Sequence, residues 1–249
     1  MANNSTEKIK TMGLNLFTLT AFVTLWFLIA WWQNSPYFAS PRQVLSGFKE
    51  IVTVGDVEGI KLWTHLYVSI IRVFAGFGAA CLLGFPGGLF LGLFPKIYAR
   101  TRIIVEPIRV ISPIAWIPLA IVLLLGFTRY MFVIWVASFF PVFVTTLWSV
   151  RQVNAVHINV ARVAGASRAF IVRKIVIPSI LPNVVGGMRI SLGISWMCIV
   201  AAEMVGGSMT GIGRLIWKSA MLVRMDLVVA GMIAFVIDQR YGSSILQNV

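Results

Sequence analysis

Charged side chains are scarce in this sequence. They make up 12% of its 249 residues, whereas 59% are hydrophobic, and the mean hydropathy is +0.89. A soluble domain of this length needs a far more polar surface. The scarcity of charge therefore predicts that residues 1–249 form a single membrane domain covered largely by lipid. Because each crossing takes about 20 residues plus a connection, the length suits about six helices.

Residues that carry catalytic or metal chemistry are also few. The chain has two cysteines and two histidines, and Cys81 and Cys198 lie in apolar stretches that suggest neither a disulfide framework nor a metal cluster. His65 and His157 are far apart in the sequence, and no GxxxxGK[ST] phosphate loop is present. We therefore expect no catalytic residue, no metal site and no cofactor, and the sequence gives least support to an intramembrane enzyme.

Basic residues outnumber acidic ones, which gives a formal net charge of +13. They are interleaved with long apolar runs and form no basic patch rich in aromatic residues, so we expect no nucleic-acid partner. With the N-terminus inside, the inner segments hold eleven lysines and arginines and the outer ones seven. This bias predicts an even number of crossings in the cell's inner (plasma) membrane, with both termini cytoplasmic.

The apolar runs predict an all-α polytopic bundle. The six spans cover approximately 14–32, 66–94, 108–127, 130–150, 184–203 and a last one from 227 that Asp238 interrupts. Between the first two, Pro41 is expected to open a short helix with one apolar face. That face could lie on the membrane surface or pack on the bundle. Its members are Val44, Phe48, Ile51 and Val52.

The segment at about 154–182, between spans four and five, is too long for a simple turn. It is amphipathic, because Val156, Val160 and Val163 recur at helical spacing, and Gly165 permits a sharp reversal between two short helices. Pro178 and Pro182 are expected to bracket the entry to span five. Physical reasoning alone leaves two interpretations open: a rigid knob that docks another protein, and an interfacial helix with basic residues at the lipid headgroups.

The same segment resembles the coupling motif of ABC importer permeases. That motif is a Glu-Ala-Ala triplet, three residues, Gly, nine residues and then Ile-x-Leu-Pro. Gly165 and the run Ile175-Val176-Ile177-Pro178 stand at this spacing, whereas the triplet is Asn159-Val160-Ala161 and lacks the usual glutamate. The stretches 111–119, 165–168, 192–204 and 211–213 look like the branch that imports nitrate, bicarbonate, taurine and aliphatic sulfonates.

The resemblance implies a type I importer permease that works by alternating access. Its expected partners are a second permease copy, two cytoplasmic ATPase subunits that bind the ATP, and an extracytoplasmic binding protein docking around 34–64 and 206–226. The residues expected to couple it to the ATPase are Asn159, Val160, Ala161, Gly165, Ala166, Ser167, Ile175, Ile177 and Pro178. The alternative is an ion-gradient-driven secondary transporter or channel, for which only Asp238 offers a buried acid.

Ionisable residues within apolar spans are costly and are therefore candidates for function. Arg72 and Glu203 are expected at a similar outer level, where they form a structural ion pair or meet the substrate. Trp116, Ser195 and Trp196 lie within predicted helices, where they line a pathway or pack in the core. A stripe of small residues predicts close helix packing. This packing lies either within one subunit, or at a subunit interface or the moving seam of the pathway. The members of the stripe are Gly76, Ala80, Gly84, Gly88 and Gly92.

Overall fold

The computed structural model describes residues 3–33 and 35–247, with side chains described for 11–33 and 35–240. Over these residues the chain is helical and contains no strand. The helices are α1 (Asn3–Gln33), α2 (Pro41–Thr53), α3 (Leu62–Leu93), α4 (Pro95–Val110), α5 (Ile117–Leu123), α6 (Phe127–Gln152), α7 (Ala155–Val163), α8 (Arg168–Ile171), α9 (Ile177–Val205), α10 (Ile212–Met221) and α11 (Met225–Gln247). The predicted all-α polytopic class is confirmed.

Four helices in the described residues are long and apolar enough to cross a membrane. They are Thr11–Gln33, Leu62–Leu93, Phe127–Gln152 and Arg168–Val205. Helix α4 and the pair Pro113–Leu123 would make a fifth crossing if they form one bent span. Helix α11 has 23 residues and occupies the place of the predicted sixth span, although Asp238 and Arg240 make it more polar than the others.

The third predicted span differs from the structure. Instead of one helix over 108–127, α4 begins at Pro95, and the chain bends by 88° before the 3₁₀ turn Pro113–Trp116 that leads into α5. Proline disfavours helical geometry in the residue before it, and Ser112 accordingly has ψ 132°. Residues 96–102, predicted as a cytoplasmic loop, therefore lie within a helix.

The chain divides into two compact units, and each is described by itself. The first comprises 1–63 and 215–234, and the second comprises 64–214 and 235–249. In the first unit, Ser40 caps α2 through a capping box with Gln43, so the predicted start at Pro41 is confirmed. Val44 and Ile51 are fully buried, which shows that the apolar face of α2 packs against protein rather than lying on the membrane surface.

An ion-pair network also lies in the first unit. The Arg224 guanidinium is 2.7 Å from a Glu50 carboxylate oxygen and 2.8 Å from an Asp226 carboxylate oxygen. These hydrogen bonds raise the pKa of Arg224. Burial opposes ionisation of Asp226, but the hydrogen bonds and the positive charge of Arg224, together with backbone hydrogen bonds, outweigh it and hold the pKa of Asp226 below its ordinary value. The network joins α2 to the start of α11.

The second unit is built on the packing of α6 against α3 and α9. A methyl group at Gly76 would lie 2.6 Å from the Ile134 side chain, and one at Gly88 would lie 2.5 Å from the carbonyl oxygen of Phe143. The small-residue stripe thus allows close contact within one chain, as the first of its two interpretations predicted. Trp196 of α9 is completely buried in the core cluster to which α3 and α6 also contribute.

Candidate functional site

The predicted coupling segment forms a helical hairpin in the second unit. Asn154 caps α7 by accepting a hydrogen bond from the Val156 amide at 2.9 Å. Val156, Val160 and Val163 lie on the outside of the hairpin and are 61%, 63% and 91% exposed. Ile158 packs inward against the buried Val150–Val184 cluster instead. Helix α7 therefore presents an apolar outer face that nothing in the described chain covers.

Gly165 makes the reversal after α7. Its φ of +81° lies in the left-handed region, where a side chain would be strained. The Ala166 amide donates to the Ala161 carbonyl at 3.0 Å, and the Gly165 amide donates to the Arg162 carbonyl at 3.1 Å. The first bond joins residues five apart, as does the 6→1 hydrogen bond of a Schellman motif, in which a glycine ends the helix. Ser167 then caps α8, so the predicted hairpin shape is confirmed.

The boundary after the hairpin differs from the prediction. Helix α8 continues through a π-helical turn, Val172–Val176, into α9, and the apolar helix runs unbroken from Arg168 to Val205. Pro178 and Pro182 therefore lie inside the helix rather than bracketing a separate span. Pro178 is tolerated because it falls in the first turn after the π segment, where a missing N–H costs least.

The other predicted coupling residues surround the turn. Asn159, Val160 and Ala161 lie on α7, with Ala161 partly buried against the core and Asn159 exposed. Ile175 and Ile177 are half-buried at the π turn. A cleft of about 730 Å³ opens between the hairpin and the end of α3, and its lining includes Arg162 and Arg168. The structure thus brings the predicted coupling residues into one contiguous element.

A second polar site is buried at the other end of α9. Glu203, which is fully buried, lies 2.7 Å from the guanidinium of Arg72 and accepts hydrogen bonds from the Ser69 hydroxyl and the Gly213 amide. Arg72 also donates to the Thr210 carbonyl at 2.9 Å and lies 4.1 Å from the centre of the Tyr130 ring. The structure therefore contains the predicted ion pair, and substrate contact by either member stays a prediction.

The segment after α9 folds tightly around this pair. Gly211 has φ +128°, and a methyl group there would lie 2.5 Å from a Glu203 carboxylate oxygen. A methyl group at Gly213 would lie 2.2 Å from the Val200 carbonyl oxygen. The buried His65 imidazole lies 3.0 Å from the Gly211 backbone. Both glycines are therefore needed because the backbone approaches the ion pair so closely.

The predicted pathway residues fall into different environments. Ser195 and Trp196 are fully buried, and Ser195 is hydrogen-bonded to Ser138 on α6. Trp196 makes an edge-to-face contact with Phe235 of α11. Trp116 lies in the 3₁₀ turn and is only partly buried. Two of the three thus pack in the core of the protomer, and their role in a pathway stays a prediction.

Sequence reasoning missed the partners that hold these groups in place. Tyr130 and Arg129 both donate to the Gly206 carbonyl at the end of α9, with the Tyr130 hydroxyl at 2.9 Å. Ser191 donates to the Ser138 carbonyl at 3.0 Å. Serine and tyrosine are common in apolar spans, and no spacing signal distinguishes these. Only their placement opposite another helix identifies them.

Comparison with known proteins gives a consistent result. Residues 84–237 match the family described as the binding-protein-dependent transport system inner membrane component. The taurine transport system permease protein TauC of Escherichia coli strain K12 is 32% identical over 239 residues, 92% of this chain and 86% of TauC. The nitrate import permease protein NrtB of Synechocystis is 32% identical over 89% of this chain and 83% of NrtB.

A solved structure shows the same fold. A chain from an inward-facing form of the MetNI methionine ABC transporter superposes with a TM-score of 0.58 at 21% identity. The superposition covers 75% of the present chain and 96% of that one. The helical bundle described above is therefore a type I importer permease fold.

Proposed function

Because this chain belongs to the family of binding-protein-dependent transport system inner membrane components, the permeases of ABC importers, we propose that it carries a small anion across the membrane by alternating access. The substrates named for its relatives include taurine, whose sulfonate is the anionic group, and nitrate. The proposed assembly is two permease copies, two ATPase subunits that bind and hydrolyse ATP, and an extracytoplasmic binding protein. The permease itself is not an enzyme in this scheme.

The observation that carries the proposal is the continuity of the hairpin with a span. Helix α8 leads without a break into α9, and the apolar helix from Arg168 to Val205 is 38 residues long. A helix of that length extends about 57 Å at 1.5 Å per residue. A displacement applied at the hairpin by an ATPase is therefore passed along the helix axis to the region of Glu203.

The contact with the ATPase is proposed to be apolar. The exposed outer face of α7 consists of Val156, Val160 and Val163, and position 159 is Asn rather than an acid. Burying valines that were exposed to water favours association without any ion pair. Asn159, Ala166 and Ser167 would then lie near the contact, while Ile175, Ile177 and Pro178 hold the base of the hairpin.

The test uses the complete transporter, purified with its ATPase subunits and reconstituted in vesicles with its binding protein. We expect Val163→Asp to weaken binding of the ATPase at least about tenfold, which corresponds to ~1.4 kcal/mol of docking free energy, and so to reduce its co-purification and lower ATP-dependent uptake. Val57→Asp, at a valine that is 51% exposed in the loop after α2, is the matched control for ATPase co-purification alone, because position 57 falls in the segment expected to meet the binding protein. Gly165→Val should also reduce uptake, because valine is strained at φ +81°.

Two results would contradict the proposal. One is full uptake by both hairpin variants with normal ATPase binding. The other is uptake that continues in vesicles without ATP, which would favour the ion-gradient-driven alternative.

A further inference from the structure

A cleft of about 370 Å³ lies in the second unit beside the bend between α4 and α5. Its wall is almost entirely apolar and includes Pro113, Val136, Phe140, Val144 and Ile194. Arg109, in the last turn of α4, is the one charged residue of its lining in the described chain. The volume is within the range of small-molecule sites, which reach from about 300 to 1,000 Å³.

Arg109 is held in place by a chain of contacts that leads back to α6. Its Nε lies 2.9 Å from one carboxylate oxygen of Glu106 in an ion pair, and the other oxygen of Glu106 accepts from the Tyr98 hydroxyl at 2.9 Å. Tyr98 is buried, and the Arg151 guanidinium lies 4.3 Å from the centre of its ring. Both oxygens of Glu106 are thus engaged within the chain.

This arrangement leaves one side of Arg109 for a ligand. The nearest approach to Glu106 is through Nε, and within the described residues the two terminal nitrogens make no hydrogen bond. A guanidinium presents pairs of N–H groups that match the oxygens of an oxyanion. The side chains of the apolar wall next to it have no hydrogen-bonding group that could pair with a second polar group on the ligand. The lining therefore suits a ligand with an anionic head and an aliphatic tail.

We propose that this cleft binds the transported anion as an alkanesulfonate, with the sulfonate on Arg109 and the alkyl chain against the α6 wall. The inference rests on the proposed function and narrows its substrate class. Nitrate and bicarbonate have no aliphatic part that could pack against the apolar wall. The ammonium group of taurine would meet apolar side chains, with the carboxylate of Glu106 already occupied.

The experiment measures equilibrium binding of radiolabelled 1-butanesulfonate to the purified full-length chain in phosphatidylcholine nanodiscs. Arg109→Gln should weaken binding at least about tenfold, because it removes a charge-assisted hydrogen-bonding group. Arg102→Gln, at an exposed arginine of the same helix outside the cleft, should leave binding within about twofold. Arg109→Lys should give an intermediate loss, since lysine keeps the charge without the paired donors.

The apolar wall has its own test. Extending the probe to 1-hexanesulfonate buries up to two more methylenes and should tighten binding up to about fifteenfold. Val110 lies at the rim and is 78% exposed, so Val110→Trp should obstruct the cleft without disturbing the core. Val122→Trp is the matched control, because Val122 is 81% exposed and does not line the cleft.

Three outcomes would overturn the inference. If Arg109→Gln leaves binding unchanged, the sulfonate does not bind at Arg109. If nitrate displaces the labelled probe as strongly as unlabelled butanesulfonate does, the apolar wall does not contribute to binding. Loss of binding in nanodiscs that contain phosphatidylglycerol would show that a lipid headgroup is the occupant. All three outcomes concern ligand binding to the permease alone. The proposed function is tested separately, by ATPase co-purification and ATP-dependent uptake in the complete transporter.

Discussion

The buried Arg72–Glu203 pair gives a quantitative prediction for the variant Glu203→Gln. The substitution keeps the shape of the side chain and removes its charge. In the structure Glu203 is inaccessible to solvent, and the Arg72 side chain is only 7% exposed. The variant therefore leaves a buried guanidinium without its counter-ion.

The expected cost follows from that burial. Removing one member of a buried ion pair costs about 3–5 kcal/mol, because the remaining charge is uncompensated. The glutamine can still accept from Ser69 or the Gly213 amide, so these hydrogen bonds are not all lost. We expect the free energy of unfolding to fall by about 3 kcal/mol, toward the low end of that range.

The assay is reversible unfolding of the purified chain in mixed detergent micelles, followed by tryptophan fluorescence. Glu106→Gln is the control, because Glu106 and Arg109 are each about one-third exposed and their pair should contribute less than about 1 kcal/mol. If Glu203→Gln proves as mild as the control, the pair does not stabilise the end of α9. The double variant Arg72→Met with Glu203→Gln should then be compared for non-additivity.

Two further predictions concern other parts of the chain. Gly213→Ala should lower the unfolding free energy, because the added methyl group would lie 2.2 Å from a backbone carbonyl oxygen. Gly186→Ala is the control, since nothing lies within 4 Å of the added methyl group, and it should stabilise α9 by up to about 1 kcal/mol. Equal effects of the two substitutions would contradict the close backbone approach at Gly213. The folded-state pKa of Asp226 is depressed, so its stabilisation should be present above the unfolded pKa of about 3.9 and lost as pH falls through the folded value. Melting temperatures between pH 6 and pH 2 should therefore fall less in Asp226→Asn, and identical pH profiles would refute this.

The sequence predicted those features that depend on local pattern. The apolar runs located α1, α3, α6 and α9, and Gly165 marked the reversal of the hairpin because few other residues adopt its backbone conformation. Arg72 and Glu203 were recognised because ionisable groups in apolar spans are rare. Each of these signals lies in the residue itself or in its immediate neighbours.

The features that were missed depend on contacts between distant segments. The bend at Ser112 was overlooked because the apolar run continues through it, and hydropathy does not report backbone direction. The continuation of α8 into α9 was missed because proline normally ends a helix, whereas here a π turn precedes Pro178. The link from Tyr98 through Glu106 to Arg109 needs a folded helix to become visible.

The close packing along α3 has a mechanical consequence. At Gly76, Gly88 and Gly92 the backbone of α3 lies against α6 with no room for even one more methyl group. Surfaces that interlock this tightly cannot slide past each other without separating first. Helices α3 and α6 should therefore move as a single rigid body during the transport cycle. The flexing that the proposed alternating access requires is then left to segments without such an interlock, such as the 88° bend at Ser112.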